Sequence, residues 1–137
     1  MNVFFDTNVI LDVLLEREPF LTHSRRAWHL TEHGEIRGIV SALTFANAHY
    51  IVRGLRGEEI ATAGMRLMRN IVEVVPLDAQ ILNQAIDAGF KDFEDAIQYF
   101  SAQRANADFL LTRDADHFPR TGLKVMTPSD FLAARPF

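Results

Sequence analysis

Acidic side chains recur in this sequence where the neighbouring residues predict the ends of buried elements. Asp6 follows the apolar run Val3-Phe4-Phe5 and precedes Thr7-Asn8 and the apolar stretch Val9-Ile10-Leu11. Asp92 and Asp95 flank Phe93-Glu94 at the start of a helical pattern, and Asp114 and Asp116 follow Phe109-Leu110-Leu111-Thr112-Arg113. A carboxylate at the end of a buried strand is costly unless a cation or hydrogen-bond donors compensate it. Several carboxylates brought to one crevice repel each other unless a hard divalent cation joins them. All-oxygen ligation of that kind suits Mg2+ or Mn2+, with water completing the shell. The chemistry such an ion supports is activation of water and clamping of a phosphate.

The elements that must bring these acids together can be read from spacing. The strand ending at Asp6 turns at once into a helix, with Val9, Ile10, Val13 and Leu14 on one face, ending near Arg17-Glu18-Pro19. Residues 21–33 form a second helical pattern stopped by Gly34, residues 38–42 a short buried strand, and residues 44–53 a helix. A turn is expected over residues 54–57 and an amphipathic helix over 58–69. The alternating, β-branched residues 71–75 read as a strand closed by Pro76. Asp78 caps a helix running to about Ala88, and Asp92 one running from Phe93 to about Ala105. Strands at 108–112 and 123–126 follow, then a short helix with Pro128 in its first position and Thr127 as its cap.

Strands alternate with helices throughout. The expected architecture is a three-layer α/β/α sandwich with a mainly parallel central sheet, spanning residues 1–137 as one domain. In such a sheet the carboxyl ends of the strands and the N-termini of the following helices share one edge. Asp6, Asp95 and Asp114 are expected to meet there.

Composition narrows the classes. With 137 residues, 48% of them apolar, the chain is globular and long enough to bury a core. There is no cysteine, which excludes disulfides and thiolate metal sites and is compatible with a reducing cytoplasm. Asp6 and Asp12 interrupt the first apolar run and no basic flank precedes it, which argues against a leader peptide. No apolar stretch is long enough to span a membrane. The net charge of -4 is unlike that of a protein that binds nucleic acid by simple electrostatics, but suits one that holds cations in an acidic pocket.

Asp6-Thr7-Asn8-Val9 after a first strand, Asp95 within Phe93-Glu94-Asp95-Ala96, and Thr112-Arg113-Asp114 after a late strand together resemble the PIN-domain family. Within it the chain looks most like the small toxins of VapBC toxin–antitoxin pairs. The resemblance implies a Mg2+- or Mn2+-dependent endoribonuclease of the cytoplasm, with RNA as substrate, an antitoxin protein as partner, a homodimeric assembly and no membrane association. It places catalytic and metal-ligating roles on Asp6, Asp95 and Asp114, with Asp116 as a further ligand. Thr7 or Asn8 would orient Asp6 or a bound water, and Thr112 would support the Asp114 end.

In one respect the chain departs from that pattern. The helix after the second strand carries a glutamate in the family, whereas here it reads Thr44-Phe45-Ala46-Asn47-Ala48-His49-Tyr50, with Asn47 in the matching place. An amide oxygen can ligate a hard cation but brings no charge, and Asp92, one turn from Asp95, is the candidate to compensate. The alternative this raises is a degenerate PIN-like module that binds RNA or protein with weak or no catalysis. Phosphotransfer on an aspartate fits less well, because Asn8 stands where a second acid would be needed and the middle strand ends Val40-Ser41-Ala42.

Overall fold

Side-chain alternation along the first strand, β1 (Asn2–Phe5), divides the core in two. Val3 and Phe5 join one apolar cluster and Phe4 joins the other, all three fully buried. Burial on both faces is what a central parallel strand requires. The computed structural model describes residues 1–137 and sets β1 in the middle of a five-stranded, entirely parallel sheet.

From β1 the chain passes through helices α1 (Thr7–Leu14) and α2 (Leu21–Glu32) to β2 (Arg37–Ser41), and then through α3 (Ala42–Arg56) and α4 (Glu58–Ile71) to β3 (Glu73–Val75). Helices α5 (Ala79–Asp87) and α6 (Phe93–Arg104) lead to β4 (Phe109–Leu111). A 3-10 turn (Ala115–His117), β5 (Lys124–Met126) and α7 (Pro128–Ala134) complete it. The sheet order is β3-β2-β1-β4-β5.

Helices cover both faces, as the expected sandwich demands. Val9 and Ile10 of α1, Ala27 and Trp28 of α2, Met68 of α4 and Phe131 of α7 pack on the Val3/Phe5 side. Ile81 and Ala85 of α5 and Ala96, Ile97, Tyr99 and Ala102 of α6 pack on the Phe4 side. A smaller cluster of Leu11, Leu15, Ala48, Val52 and Ala61 fastens the α3–α4 hairpin to α1. Each fully buried large apolar side chain contributes about 1.5–3 kcal/mol by leaving water, so the two main clusters define the fold. No helix is long and apolar enough to cross a membrane.

Several element boundaries shift by one to three residues from the reading of the sequence, and two of the shifts have a clear cause in packing. Helix α3 continues through Gly54 to Arg56, so the turn expected over 54–57 shrinks to Gly57, whose φ of 92° only glycine adopts readily. A mid-helix glycine costs about 1 kcal/mol, and the burial of Ala48 and Val52 against Leu11, Leu15 and Ala61 offsets it. Ile71 ends α4 rather than opening β3, because from the helix it reaches the first core.

At the carboxyl edge of the sheet the ladder runs one residue past the strands. Asp6 N donates to Leu111 O at 2.9 Å and Thr112 N to Met126 O at 3.0 Å. These bonds set Asp6 and Thr112 side by side just beyond the paired residues Phe5 and Leu111.

Candidate active site

Asp6 is the N-cap of α1, with extended backbone (φ -70°, ψ 157°). A conventional cap carboxylate reaches the second or third N–H of the helix. This one accepts from the first, Thr7 N, at 2.8 Å, and turns the rest of its acceptor capacity inward. Oδ1 also accepts from Gln98 Nε2 at 3.1 Å, and Oδ2 accepts from Thr112 Oγ1 at 2.8 Å. The residue is only 4% exposed. Burial pushes its carboxyl above the ordinary carboxylate range, the bonds from Thr112, Gln98 and Thr7 pull it back, and the charge of Asp114 adds to the rise.

Asp95 lies in the first turn of α6, whose N-cap is Asp92; the Asp92 carboxylate accepts from Asp95 N at 3.0 Å. Asp92 is therefore occupied as a cap, and its charge acts on Asp95. The Asp95 carboxyl is raised to about 6, first by burial and then by the charges of Asp6 and Asp92, with a smaller push from Asp114. His117 on the 3-10 turn opposes this from 3.6 Å. Asp6, Asp95 and Asp114 thus feel one another's charge across a single crevice.

Asp114 is exposed and is tethered by Asn8, whose Nδ2 donates to Asp114 Oδ2 at 3.2 Å and to Thr112 Oγ1 at 3.3 Å. Asn8 Oδ1 also accepts from Arg113 N at 3.2 Å, so this amide anchors the Asp114 loop rather than the Asp6 carboxylate. The Thr7 hydroxyl bonds with Thr44 Oγ1 at 2.8 Å and accepts from Gln98 Nε2 at 3.2 Å. Asp116 is exposed on the 3-10 turn, where His117 is the residue that faces Asp95. Asn47 is half-buried, one turn along α3 from Thr44, and takes no part in this hydrogen-bond network.

The donor set suits a hydrated hard cation. No three carboxylate or imidazole groups are close enough to cage an ion by themselves. Magnesium, however, is commonly held by one or two carboxylates, with waters and substrate phosphate filling the rest of its shell. Asp6 Oδ2 has an acceptor site to spare beyond the Thr112 bond, Asp114 Oδ1 accepts no hydrogen bond, and neither oxygen of Asp95 accepts one. Carboxylates with free lone pairs fit a hydrated divalent ion bound through one or two of Asp6, Asp95 and Asp114, with water and phosphate completing its shell.

Reading by sequence missed two features. The first is a buried polar cluster of Gln98, Ser41, Thr44 and Thr7, all within hydrogen-bond distance of Asp6 or of each other. Gln98 follows Asp95 by three residues and so shares its face of α6; a polar residue among Ala96, Ile97 and Tyr99 was the available signal. The second is Asp12, whose side chain is fully buried between Arg17 (Nε–Oδ1 2.9 Å) and Arg113 (Nε–Oδ2 3.1 Å). Burial pushes the Asp12 carboxyl up and the two arginines pull it down. An acid inside the apolar run from Val9 to Leu15 was the clue.

Comparison with known proteins agrees with this fold. The ribonuclease VapC1 of Aquifex aeolicus (strain VF5) is 26% identical over 134 residues, a match covering 94% of this chain and 92% of the relative. Among solved structures, DNA-bound VapBC from Salmonella typhimurium superimposes with a TM-score of 0.71 at 18% identity, over 93% of this chain and 98% of that one. VapBC-1 from nontypeable Haemophilus influenzae gives 0.69 at 21% identity, over 94% and 99%. VapC20 of Mycobacterium tuberculosis, a toxin that cleaves the sarcin-ricin loop, gives 0.68 at 15%, over 84% and 92%. These likenesses carry the fold. A PIN domain model matches residues 2–116, which include Asp6, Asp95 and Asp114, and the chain belongs to the PIN-domain family.

Proposed function

We propose that this chain is a divalent-metal-dependent endoribonuclease and the toxin of a toxin–antitoxin pair. The observation that supports the reading is that Asp6 and Asp114 are linked through Thr112 and Asn8 at the carboxyl edge of a parallel sheet, with Asp95 in the first turn of α6, one turn before the Gln98 that bonds Asp6. Ligands in open α/β sheets bind at that edge, and an acidic crevice accepts phosphate only through a cation. Mg2+ or Mn2+, when bound, supplies the positive charge for the scissile phosphate and activates water as nucleophile.

The residues of the chain divide that work. Asp6 is fixed in place by the donors Thr7 N, Gln98 and Thr112, which partly offset the upward push that burial gives its carboxyl. Asp95 and Asp114 complete the acidic crevice, with Asp116 as a further candidate ligand beside His117. Asn8 and Thr112 keep Asp114 in register with Asp6. The relatives named VapC and VapBC support a ribonuclease activity and an antitoxin partner for this chain. A homodimer acting in the cytoplasm, with residues 1–137 as one PIN-like domain, belongs to the same reading.

Asn47 favours a second reading, a degenerate module that binds RNA without cutting it, since α3 offers no acid to the crevice. Cleavage of a mixed RNA pool by the purified protein separates the two. Mg2+, Mn2+ and EDTA are compared, with Asp6→Asn as the control for contaminating nuclease. Metal-dependent cleavage that vanishes in Asp6→Asn is the expected result. Equal trace activity in both proteins would instead favour the binding module.

A further inference from the structure

The deepest polar group of the crevice is neutral. Gln98 has no exposed surface, yet every polar atom of its side chain is engaged. A buried amide is tolerated only when satisfied in this way. Ser41 Oγ donates to Gln98 Oε1 at 2.7 Å while accepting from Thr44 N at 3.1 Å as the N-cap of α3. The Asp6 carboxylate, which offers only acceptors, decides which way the amide points, and Ser41 holds its oxygen end. Nε2 then faces Thr44 Oγ1 at 2.8 Å, Asp6 Oδ1 at 3.1 Å and Thr7 Oγ1 at 3.2 Å. The flipped amide would set its oxygen against the Asp6 carboxylate.

Oδ1 of Asp6 accepts from both Thr7 N and Gln98, whereas Oδ2 accepts from Thr112 alone. We propose that Gln98 is the positioning residue of Asp6: its amide, held at its oxygen end by Ser41, occupies Oδ1 and so leaves Oδ2 as the oxygen presented to the divalent ion. The assignment rests on the nuclease reading. It also explains why an amide stands here, since a glutamate at 98 would face Asp6 charge to charge, and an asparagine would be one methylene too short to bridge Ser41 and Asp6.

The test measures Mn2+ affinity by electron paramagnetic resonance, together with kcat and KM for RNA cleavage. It is run on wild type, Gln98→Met and Ser41→Ala, and the affinities are repeated in an Asp6→Asn background. Outer-shell partners of metal ligands cost roughly 10–100-fold when removed. Gln98→Met is expected to weaken Mn2+ binding and lower kcat by about that factor, with little change in KM. Ser41→Ala loses less in the same direction, and neither changes Mn2+ affinity further once Asp6 is asparagine. Wild-type Mn2+ affinity and kcat in Gln98→Met, or an equal loss with and without Asp6, would overturn the role of Gln98. Should thermal melts show that Gln98→Met does not fold, Ser41→Ala decides by the same two criteria. An Asp6→Asn protein that binds Mn2+ and cleaves like wild type would instead overturn the nuclease reading, and this proposal with it.

Discussion

The hydroxyl of Thr112 donates to Asp6 Oδ2 at 2.8 Å and at the same time accepts from the backbone N–H of Asp114 at 3.1 Å. One oxygen atom thereby ties the end of β1 to the loop after β4. Valine keeps the shape of threonine and removes both bonds, together with the one the hydroxyl accepts from Asn8 Nδ2. Thr112→Val is expected to leave the fold intact and to lower kcat by roughly 10–100-fold, the usual cost of an outer-shell bond, while Thr112→Ser stays within about threefold of wild type. Steady-state cleavage of one RNA, with thermal melts alongside, checks this. Equal activity of the valine and serine variants would show that the bridge is dispensable.

Asp95 makes the site pH-sensitive in two ways. Its carboxyl is raised from 3.8 to about 6, by burial first and by Asp6 and Asp92 next. Between those values the folded chain binds a proton there that the unfolded chain does not. The contribution of Asp95 to stability therefore grows as pH falls through about 6 and is withdrawn as pH rises. Asp95→Asn should stabilise the metal-free protein near pH 8 by about 1–3 kcal/mol, a gain that disappears below about pH 4. Urea unfolding across that range tests it. The acid limb of cleavage should lie near pH 6 when metal is scarce, and move lower as Mg2+ is raised, because the cation favours the ionised carboxylate. A limb that ignores Mg2+ would place Asp95 away from the ion.

How far the sequence could be read depended on how local each signal was. Asp6, Asp92, Asp95 and Asp114 stand at the ends of apolar runs, and a single chain shows such ends directly. The order of strands and helices was legible for the same reason. Gln98 was not, because its partners Ser41 and Asp6 lie 57 and 92 residues away, and a glutamine on a helix ordinarily faces water. The turn misplaced at Gly54 has the same origin: only the packing of α3 against Leu11, Leu15 and Ala61 shows why the helix continues past a glycine. The resemblance gives Thr7 or Asn8 the task of orienting Asp6 or a bound water; the hydrogen bonds that Asn8 makes go to Thr112, Arg113 and Asp114, more than a hundred residues on.

Asn47 decides how complete the acidic set is. It lies one turn beyond Thr44, whose hydroxyl touches Gln98 and Thr7, and so sits on the same side of α3. If three acids suffice, Asn47→Glu adds a charge that is not needed, and cleavage should change by less than about tenfold, or 1.4 kcal/mol. Single-turnover cleavage with saturating Mn2+ is the measurement. A rise from near zero to robust cleavage would mark the natural site as degenerate.

Close packing behind the sheet gives a test independent of the chemistry. A Cβ added to Gly38 of β2 would meet Thr31 Cγ2 at 2.4 Å and Oγ1 at 2.9 Å. Thr31 Oγ1 is itself buried without a hydrogen-bond partner. Gly38→Ala should cost about 1–3 kcal/mol through this overlap, and Thr31→Ala in the same chain should recover most of it, since only Cβ at 3.3 Å then remains. Additive losses in a double-mutant cycle would mean that the strand, not the threonine, resists the side chain.

Arg113 separates Thr112 from Asp114, and its guanidinium is held from two sides. Nε lies 3.1 Å from Oδ2 of the fully buried Asp12, and the group stacks 4.1 Å over the Phe20 ring. Removing the arginine strands a buried carboxylate with Arg17 as its remaining partner, so Arg113→Ala should cost about 3 kcal/mol, the low end of the range for a broken buried pair. Replacing the acid is milder, because about a third of each arginine side chain is exposed, but it leaves the buried Nε of Arg113 with no acid beside it. Asp12→Leu should therefore fold at a cost of about 1–3 kcal/mol, the range for a buried donor left unsatisfied, and lose about 10–100-fold in kcat, because the loop carrying Asp114 loses its anchor and small misplacements of a reacting group are expensive. Urea midpoints and kcat measured on the same two variants separate the effects. If Asp12→Leu keeps full activity, Asn8 and Thr112 alone hold Asp114, and the Asp12–Arg113 pair serves the fold and not the site.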